Sequence, residues 1–304
     1  MLSAMKFPFQ RIGGFLGAVC LALSLSACVT NEEQGHPEGW EEITPKPVPS
    51  IEALVPKDIK DRGVLTAGTN PPFAPFEFRD SSHTIIGVEM DLMHAAAATM
   101  GLKFQPKEQD FSLILPSLSA GSIDVGASGF TDTEERRENY DFVDFLYAGV
   151  QWGQQTGDDI SREDPCGLSI AVQRTTVSET DDVRPLSEQC VEEGKEPIEV
   201  LSYDTSDAAA TALVLGRADA FSADSPVLAW AVERADGKIE PTGEIFDAAP
   251  YGFAVPKDSK LGPALAAALQ YLIDHGDYQK ILAQWGIEEG LVDAALINEE
   301  PVNN

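Results

Sequence analysis

The sequence predicts an α/β fold made of two lobes, because short apolar runs alternate with helical patterns along most of its length. VLTAGT (64–69) and DVGAS (124–128) are typical of buried strands, and EMDLMHAAAATMG (89–101) is typical of a helix that ends at a glycine. Strands that alternate with helices favour largely parallel sheets. The alternation begins again with LSIAVQ (168–173) and ADAFSAD (218–224), which predicts a second lobe.

The composition indicates a folded chain and narrows the choice of partners. Of 304 residues, 43% are apolar and 8% aromatic, which is ample for packed lobes. The formal net charge of -29 would repel phosphate backbones over most of the surface, so no nucleic-acid binding is expected. The same charge favours a cationic guest or partner.

The N-terminus has the pattern of a targeting segment. Lys6 and Arg11 precede an uncharged run that is too short and too early for an ordinary spanning helix. The run ends in the tetrapeptide LSAC (25–28), which resembles the bacterial lipobox. We therefore predict a signal peptide over residues 1–27 and a lipid anchor on Cys28. The alternative is an ordinary secretory signal with a chance cysteine, and both interpretations place the mature protein in an oxidising compartment.

A membrane anchor needs a tether, and residues 28–50 have the composition of one. They are rich in Pro, Glu and Gly and have no apolar periodicity, which predicts an extended, solvated segment. No second hydrophobic run long enough to span a bilayer follows it. The lipid would then hold the protein on the outer face of the cytoplasmic membrane.

Cys166 and Cys190 remain as an even pair after the signal and the anchor are set aside, and a disulfide between them is the favoured interpretation. A metal site needs more ligands than two cysteines. The four histidines show no spacing typical of metal ligands, so neither a metal nor a cofactor is expected.

The C-terminal part predicts two helices that pack on the core. LGPALAAALQYLIDHG (261–276) and DYQKILAQWG (277–286) each carry an apolar face and end at a glycine. Residues 291–304 are expected to form an acidic tail.

Several blocks, in this order and spacing, resemble the family-3 extracellular solute-binding proteins, the polar amino-acid receptors of bacterial ABC importers. The blocks are GVLTAGTNPPFAPFEF, GVEMDL, FSLILPSLSAGSIDVGASGFTDTEERRENYDF, GRADAFSAD and YGFAVPKDS. The resemblance implies the two-lobed periplasmic-binding-protein-like fold of type II, with two hinge strands and a ligand cleft between the lobes. It predicts one lobe from residues 51–148 plus 250–290 and the other from residues 149–249.

A free amino acid carries a carboxylate and an ammonium group, so its site must present both signs of charge. Arginine offers a planar fork of donors that matches a carboxylate. The spacing of the family pattern selects Arg136 rather than its neighbour Arg137, for which a solvated helix face is expected. The resemblance gives Thr131 a hydroxyl contact and Gly129 a backbone contact with the ends of the ligand.

In the second lobe, the resemblance assigns the ammonium to Asp224 and places Thr176 near the carboxylate. The loop around Thr176 departs from the family, since many members have glycine where Arg174 and Thr175 stand. Gln173 is a further candidate for contact with the ligand side chain.

Selectivity is predicted to rest on Asn70, Phe73 and Phe111, which fall at pocket-lining positions of the family. Core packing is the alternative for the two phenylalanines. Family members that take cationic amino acids or glutamine often have aspartate where Asn70 stands, and a neutral amide cannot neutralise a buried cation. The expected guest is therefore a neutral or acidic polar amino acid such as glutamine, asparagine or glutamate, unless Asp110 or another acid supplies the missing charge.

The function implied is that of a monomeric binding protein that passes its guest to a membrane permease. An enzyme on the same fold, similar to a cyclohexadienyl dehydratase, is the alternative from another class, and a ligand-sensing protein is a third. Elimination would need a tuned acid or base in the cleft. No histidine falls in the blocks assigned to the cleft, so we expect no enzymatic activity.

Overall fold

The computed structural model describes residues 35–302. The predicted signal peptide, the anchor at Cys28 and the first part of the predicted tether lie outside these residues. The helices are α1 (Pro49–Glu52), α2 (Lys57–Arg62), α3 (Val88–Thr99), α4 (Phe111–Ser119), α5 (Glu134–Arg137), α6 (Arg184–Glu192), α7 (Ser206–Val214), α8 (Ser225–Arg234), α9 (Leu261–His275) and α10 (Asp277–Gln284). A π-helical segment, Ser178–Val183, precedes α6.

The strands alternate with these helices, as the sequence predicts. They are β1 (Val64–Thr69), β2 (Phe78–Arg79), β3 (Ile85–Ile86), β4 (Lys103–Glu108), β5 (Val125–Gly126), β6 (Tyr140–Gln155), β7 (Ser169–Gln173), β8 (Glu199–Tyr203), β9 (Ala220–Asp224), β10 (Ile239–Pro256), β11 (Leu291–Ile297) and β12 (Glu300–Pro301).

One sheet contains both sets of strands, in the order β4-β1-β5-β10-β6-β9-β7-β8. Strand β1 pairs in parallel with β4 and β5, and β7 pairs in parallel with β8 and β9. Between these two parallel sets lie the long strands β6 and β10, which pair antiparallel to each other and to their neighbours. The two long strands therefore connect two α/β lobes, and we call them the hinge strands.

The hinge strands change register where the chain is predicted to cross between lobes. Their pairing is irregular between Thr242 and Ala249, a stretch that includes the exposed Ile245. Ala249 pairs with Ala148 immediately after the irregular part. A strand pair that bends at one point can act as a hinge, because the hydrogen bonds on both sides keep their partners.

Each lobe has buried apolar side chains of its own. In the second lobe, Trp152, Ile170 and Val172 form part of a cluster that includes the disulfide between Cys166 and Cys190. The Cα atoms of this predicted pair lie 5.6 Å apart. In the first lobe, α9 buries Leu265, Leu269 and Leu272 completely, so its apolar face is core packing as predicted.

The described part of the predicted tether packs against the first lobe instead of extending into solvent. Trp40 Nε1 donates to Asp91 Oδ2 at 2.7 Å, and Val48 N donates to the carbonyl of Thr99 at 2.8 Å. Lys280 Nζ donates to Glu41 Oε2 at 2.7 Å. Its polar composition concealed this docking, because polar groups such as Glu41 supply contacts alongside Trp40 and a few apolar residues.

The predicted acidic tail also belongs to the sheet. Leu296 and Ile297 of β11 pair with Asp144 and Val143 of β6, and β11 turns back to pair with β12. Within residues 35–302, no helix is long and apolar enough to cross a membrane.

Candidate ligand-binding site

A small cavity lies where the two lobes meet. The residues that line it are Phe73, Phe111, Gly129, Thr131, Arg136, Thr176, Val177 and Asp224. The cavity has a volume of about 10 Å³, which is room for roughly one water molecule. A guest the size of an amino acid therefore needs the lobes to move apart.

Arg136 reaches the cavity from the short helix α5. Thr133 caps this helix, because its hydroxyl oxygen accepts a hydrogen bond from Arg136 N at 3.3 Å. The guanidinium donates from Nη1 to the carbonyl of Thr131 at 2.8 Å and from Nη2 to the carbonyl of Thr175 at 3.4 Å. Thr131 lies in the first lobe and Thr175 in the second, so Arg136 spans the cleft between them.

The surroundings of Arg136 leave its charge without a direct carboxylate partner. Among residues 35–302, no carboxylate oxygen lies within 4.0 Å of its guanidinium. The guanidinium carbon lies 5.5 Å from the ring centre of Phe130 and 6.0 Å from that of Phe111. Burial lowers the pKa of Arg136, and the negative charges of Asp181 and Asp224 oppose that effect. An arginine remains protonated at neutral pH, so the site presents a cation to an incoming anion.

Arg137 has a different environment. Its Nε donates to Asp132 Oδ1 at 2.6 Å, and its Nη2 forms a salt bridge with Glu299. Hydrogen bonding to Asp132 raises the pKa of Arg137. The side chain of Asp132 is fully buried, so Arg137 is a structural partner of a buried acid. This finding corrects the expectation of a merely solvated side chain.

Asp224 ends β9 at the start of α8 and faces the same cavity as Arg136. Only 6% of the residue is exposed, and its carboxylate does not cap α8. Burial raises the pKa of Asp224 to about 6, against the opposing effects of the Tyr251 hydroxyl and the charge of Arg136. The cavity thus has a cationic and an anionic side chain, one from each lobe.

Gly129 occupies a position that only glycine fits. Its φ is +58°, and a Cβ there would lie 2.4 Å from Phe73 Cε1. The amide of Gly129 donates to Glu89 Oε2 at 2.8 Å, so the backbone contact that it can offer a guest is through its carbonyl.

Two fully buried glutamates support this segment from behind. Glu89 accepts the Gly129 amide, and Glu77 accepts a hydrogen bond from the hydroxyl of Ser128. Burial and the proximity of Glu89 raise the pKa of Glu77, and burial also raises the pKa of Glu89. Two carboxyl groups this close and this dry hold at least one proton at neutral pH.

Asn70 and Gln173 contact each other across the cleft and are absent from the residues that line the cavity. Gln173 Nε2 donates to Asn70 Oδ1 at 2.8 Å, and Asn70 Nδ2 donates to the carbonyl of Gln109 at 3.0 Å. Gln173 Oε1 is buried and has no hydrogen-bond partner among the described residues. The pair joins the end of β1 to the end of β7, so it closes the cleft from one lobe to the other.

The loop after β7 shows what glycine would supply at a position where this chain departs from the family pattern. Thr175 has a φ of +61°, a conformation that glycine adopts without strain and a β-branched residue does not. Its amide donates to Glu179 Oε2 at 2.6 Å, and Thr176 Oγ1 donates to the carbonyl of Gln173 at 2.7 Å. These bonds hold the loop in the conformation that places Thr176 and Val177 at the cavity.

The structure thus brings together all the residues predicted to contact the ligand except Asn70 and Gln173, which lie beside the cavity. Val177 lines the cavity but was not predicted, because it lies in the loop where the family pattern breaks down. The phenol of Tyr251 beneath Gly129 was also missed, since the YGFAVPKDS block indicated only the return to the first lobe.

Two lobes joined by two hinge strands, with opposite charges facing a cavity between them, are the architecture of a solute-binding protein. The chain belongs to the bacterial extracellular solute-binding proteins, family 3, whose sequence model matches residues 65–288. The resemblance seen in the sequence and the fold that it implied are both confirmed.

Similar proteins are known by sequence and by structure. The arginine-binding protein ArgT of Corynebacterium glutamicum is 65% identical to this chain over 300 residues, 98% of this chain and 99% of the relative. An ancestral arginine-binding protein, solved bound to arginine, has a TM-score of 0.67 and 34% identity and covers 74% of this chain and 98% of its own. The amino acid ABC transporter substrate-binding protein AbpA of Streptococcus pneumoniae was solved bound to L-arginine. It has a TM-score of 0.69 and 26% identity, and the match covers 76% of this chain and 98% of AbpA.

Proposed function

We propose that this protein is the amino-acid-binding component of an ABC importer and that its guest is arginine. The observation that carries the proposal is that Arg136 and Asp224, one cation and one anion, line the same cavity. The guanidinium fork of Arg136 matches an α-carboxylate, and the carboxylate of Asp224 matches an α-ammonium. The carbonyl of Gly129 and the hydroxyls of Thr131 and Thr176 are proposed to supply uncharged hydrogen-bonding groups to the same carboxylate and ammonium.

The choice of arginine replaces the neutral or acidic guest that Asn70 suggested. ArgT, at 65% identity over nearly the whole chain, is named for arginine. Two proteins this similar share a guest more often than two members of the family taken at random. The argument from Asn70 assumed that a cation needs an acid at that one position. In this protein Asn70 is hydrogen-bonded to Gln173 of the other lobe and is one of several side chains at the cleft, so its neutrality alone does not decide the guest.

Other groups can receive the guanidinium of an arginine guest. The rings of Phe73 and Phe111 line the cavity, and a guanidinium stacks favourably on an aromatic face. Gln173 Oε1 is a buried acceptor without a partner among residues 35–302. The strongly acidic chain, with a net charge of -29, adds a long-range field that attracts cations.

Binding is proposed to close the lobes by a shift of population. The guest bridges Arg136 and Asp224 only when the lobes are together, so it binds the closed form more tightly than the open form. The contact between Asn70 and Gln173 adds to the stability of the closed form. A permease that recognises this form would receive the guest only from loaded protein.

The protein is proposed to work on the outer face of the cytoplasmic membrane, held there by a lipid on Cys28, and to act as a monomer. LSAC (25–28) supports the anchor, and the disulfide between Cys166 and Cys190 fits an oxidising compartment.

Binding without catalysis is the better account of the cavity. Elimination of water needs both a base and an acid. The residues that line the cavity include a single carboxyl group, Asp224, and no histidine.

A thermal-shift screen of the purified protein against the free amino acids tests the proposal. A guest that binds only the native state raises the melting temperature by mass action. L-Arginine should give the largest increase, and glutamine, asparagine and glutamate smaller ones. No increase with any amino acid would contradict the proposal, and a larger increase with glutamate would contradict the choice of arginine.

A further inference from the structure

Tyr251 carries a buried hydroxyl group that forms no hydrogen bond with the protein backbone. The residue is fully buried, and its Oη has no hydrogen-bond partner among residues 35–302. A buried phenol usually has a partner, because an unpaired hydroxyl loses the hydrogen bonds that it makes to water. The other fully buried tyrosine, Tyr278, follows this rule, since its Oη donates to the carbonyl of Phe145 at 2.7 Å.

The position of Tyr251 links it to the cavity. The residue lies on hinge strand β10, where it pairs with Leu146, and it forms an isolated bridge with Thr131. Its Cε2 lies 3.2 Å from the position that a Cβ on Gly129 would occupy. Both Thr131 and Gly129 line the cavity, so the ring of Tyr251 forms the layer directly beneath them.

The hydroxyl of Tyr251 interacts with Asp224, because each of the two groups shifts the pKa of the other. Asp224 is the acid with the largest effect on the pKa of Tyr251, followed by Glu89 and Glu77. Burial and these three acids raise the pKa of the phenol well above its ordinary value. The hydroxyl is therefore protonated throughout the pH range in which Asp224 titrates, and it is a permanent donor beside that carboxyl group.

We propose that Tyr251 is a positioning residue for ligand capture, whose hydroxyl donates to the Asp224 carboxylate and keeps it ionised and aimed at the guest. The inference rests on the proposed role of Asp224 as the acceptor of the ammonium group. A carboxylate has lone pairs for both donors, so the phenol and the ammonium can bind it together. Arg136 acts in the same direction from the cavity, and Glu77 and Glu89 are the other acids that act on the phenol.

The proposal predicts a particular pH dependence. Only ionised Asp224 accepts an ammonium group, so affinity falls as the pH drops through the pKa of Asp224 in the free protein. A phenol donor favours the ionised form and lowers that pKa. Without the hydroxyl, the fall in affinity should begin at a higher pH.

The experiment is a calorimetric titration of L-arginine into the purified protein between about pH 5.5 and about pH 8. The unaltered protein is compared with Tyr251→Phe, Asp224→Asn and the control Tyr278→Phe. Tyr251→Phe should lose affinity roughly tenfold or more at the acid end and only a few-fold at the alkaline end. Tyr278→Phe should follow the pH profile of the unaltered protein.

The outcomes separate this inference from the proposed function. If Asp224→Asn weakens binding but Tyr251→Phe follows the unaltered protein at every pH, the inference is wrong and the binding function stands. If the unaltered protein binds no arginine, or if Asp224→Asn binds like it, the role of Asp224 is wrong and the inference falls with it.

A second measurement covers the case in which Tyr251→Phe does not fold. In the unaltered protein, the carbon-13 NMR signal of the Tyr251 ring carbon that bears the hydroxyl should move when arginine is added. The corresponding signal of Tyr278 should stay. A Tyr251 signal that does not move would overturn the inference.

Discussion

At the scale of the residue, the adjacent arginines show how helical geometry separates two roles. Arg136 and Arg137 both lie on α5, and consecutive side chains on a helix point in different directions. Arg136 reaches the cavity, and Arg137 reaches the buried Asp132. The sequence could distinguish them only through family spacing, because their local composition is the same.

Replacing the two arginines in turn tests this separation. Arg136→Ala should weaken arginine binding by about 3 kcal/mol, or roughly two decades in affinity, because the guest carboxylate is then buried without its cation. Arg137→Ala should bind normally but unfold more easily, by about 1 to 3 kcal/mol, since Asp132 loses its donor. Calorimetry and urea denaturation measure the two effects. Normal binding by Arg136→Ala would remove this residue from the site.

The buried glutamates behind Gly129 predict a pH dependence of stability. Burial raises the pKa of Glu89 from 4.5 to about 8, so the native state holds a proton that the unfolded state releases over this interval. The native state therefore binds more protons, and the free energy of unfolding should fall as the pH rises through this window. Glu77 and Asp144, whose pKa values are also raised, act in the same direction.

Glu89→Gln isolates the contribution of Glu89. A glutamine can still accept the Gly129 amide and can donate to Glu77 at every pH. The difference in unfolding free energy between this variant and the unaltered protein should shift in favour of the variant between about pH 5 and about pH 8. The exposed Glu196→Gln is the control and should show no such shift. If the unfolding free energy depends on pH equally in all three proteins, Glu89 does not hold the extra proton in the native state.

At the scale of the element, the loop after β7 is held in a strained conformation. Thr175 is exposed yet has a φ of +61°, so its side chain adds strain without adding packing. Its carbonyl accepts a hydrogen bond from Arg136, which connects this strain to the cavity. The strand and the loop were predictable from the sequence, but the sign of φ was not.

Thr175→Gly should relieve the strain. The gain in the folded state exceeds the entropy that glycine adds to the unfolded chain, so the variant should be more stable by about 1 kcal/mol. Urea denaturation measures the change, and Thr180→Gly is the control for a general effect of glycine. Thr180 lies in the helical segment, so this variant should be less stable than the unaltered protein. A loss of stability in Thr175→Gly would show that the loop is not strained.

The segment before α1 gives the second test at this scale. Trp40 is half-buried, donates to Asp91 and lies 3.7 Å from the ring centre of His36. Trp40→Ala should lower the free energy of unfolding by about 2 kcal/mol, and Trp40→Phe, which keeps most of the packing, by about half as much. Stability unchanged in both variants would mean that this segment is a solvated tether, as its composition suggested.

At the scale of the whole molecule, alternation of strands and helices was enough to predict two α/β lobes, because parallel strands are buried on both faces and leave continuous apolar runs. The residues that meet across the cleft come from distant parts of the chain. From the sequence, only the spacing of the family pattern could assign Arg136 and Asp224 to the same site. The docking of residues 37–48 and the pairing of β11 with β6 were not predictable, since each depends on a few tertiary contacts that the local sequence does not specify.

The preference for a cationic guest also belongs to the whole molecule. Asn70 contacts Gln173 beside the cavity and does not act alone. The rings of Phe73 and Phe111 and the unpaired Gln173 Oε1 can also receive a guanidinium, and the net charge of -29 attracts cations at long range. Selectivity is then a property of the closed cleft as a unit.

The measurement that tests the central claim most directly is a calorimetric comparison of L-arginine with L-citrulline, its neutral counterpart of nearly the same shape. Both carry the α-carboxylate and α-ammonium groups that Arg136 and Asp224 are proposed to bind. The two guests differ only at the end of the side chain, where a neutral ureido group with one carbonyl oxygen replaces the charged guanidinium. Arginine should bind more tightly by roughly tenfold to a hundredfold, the range expected when a charged hydrogen bond is lost. Equal or tighter binding of citrulline, or no binding of arginine, would contradict the account.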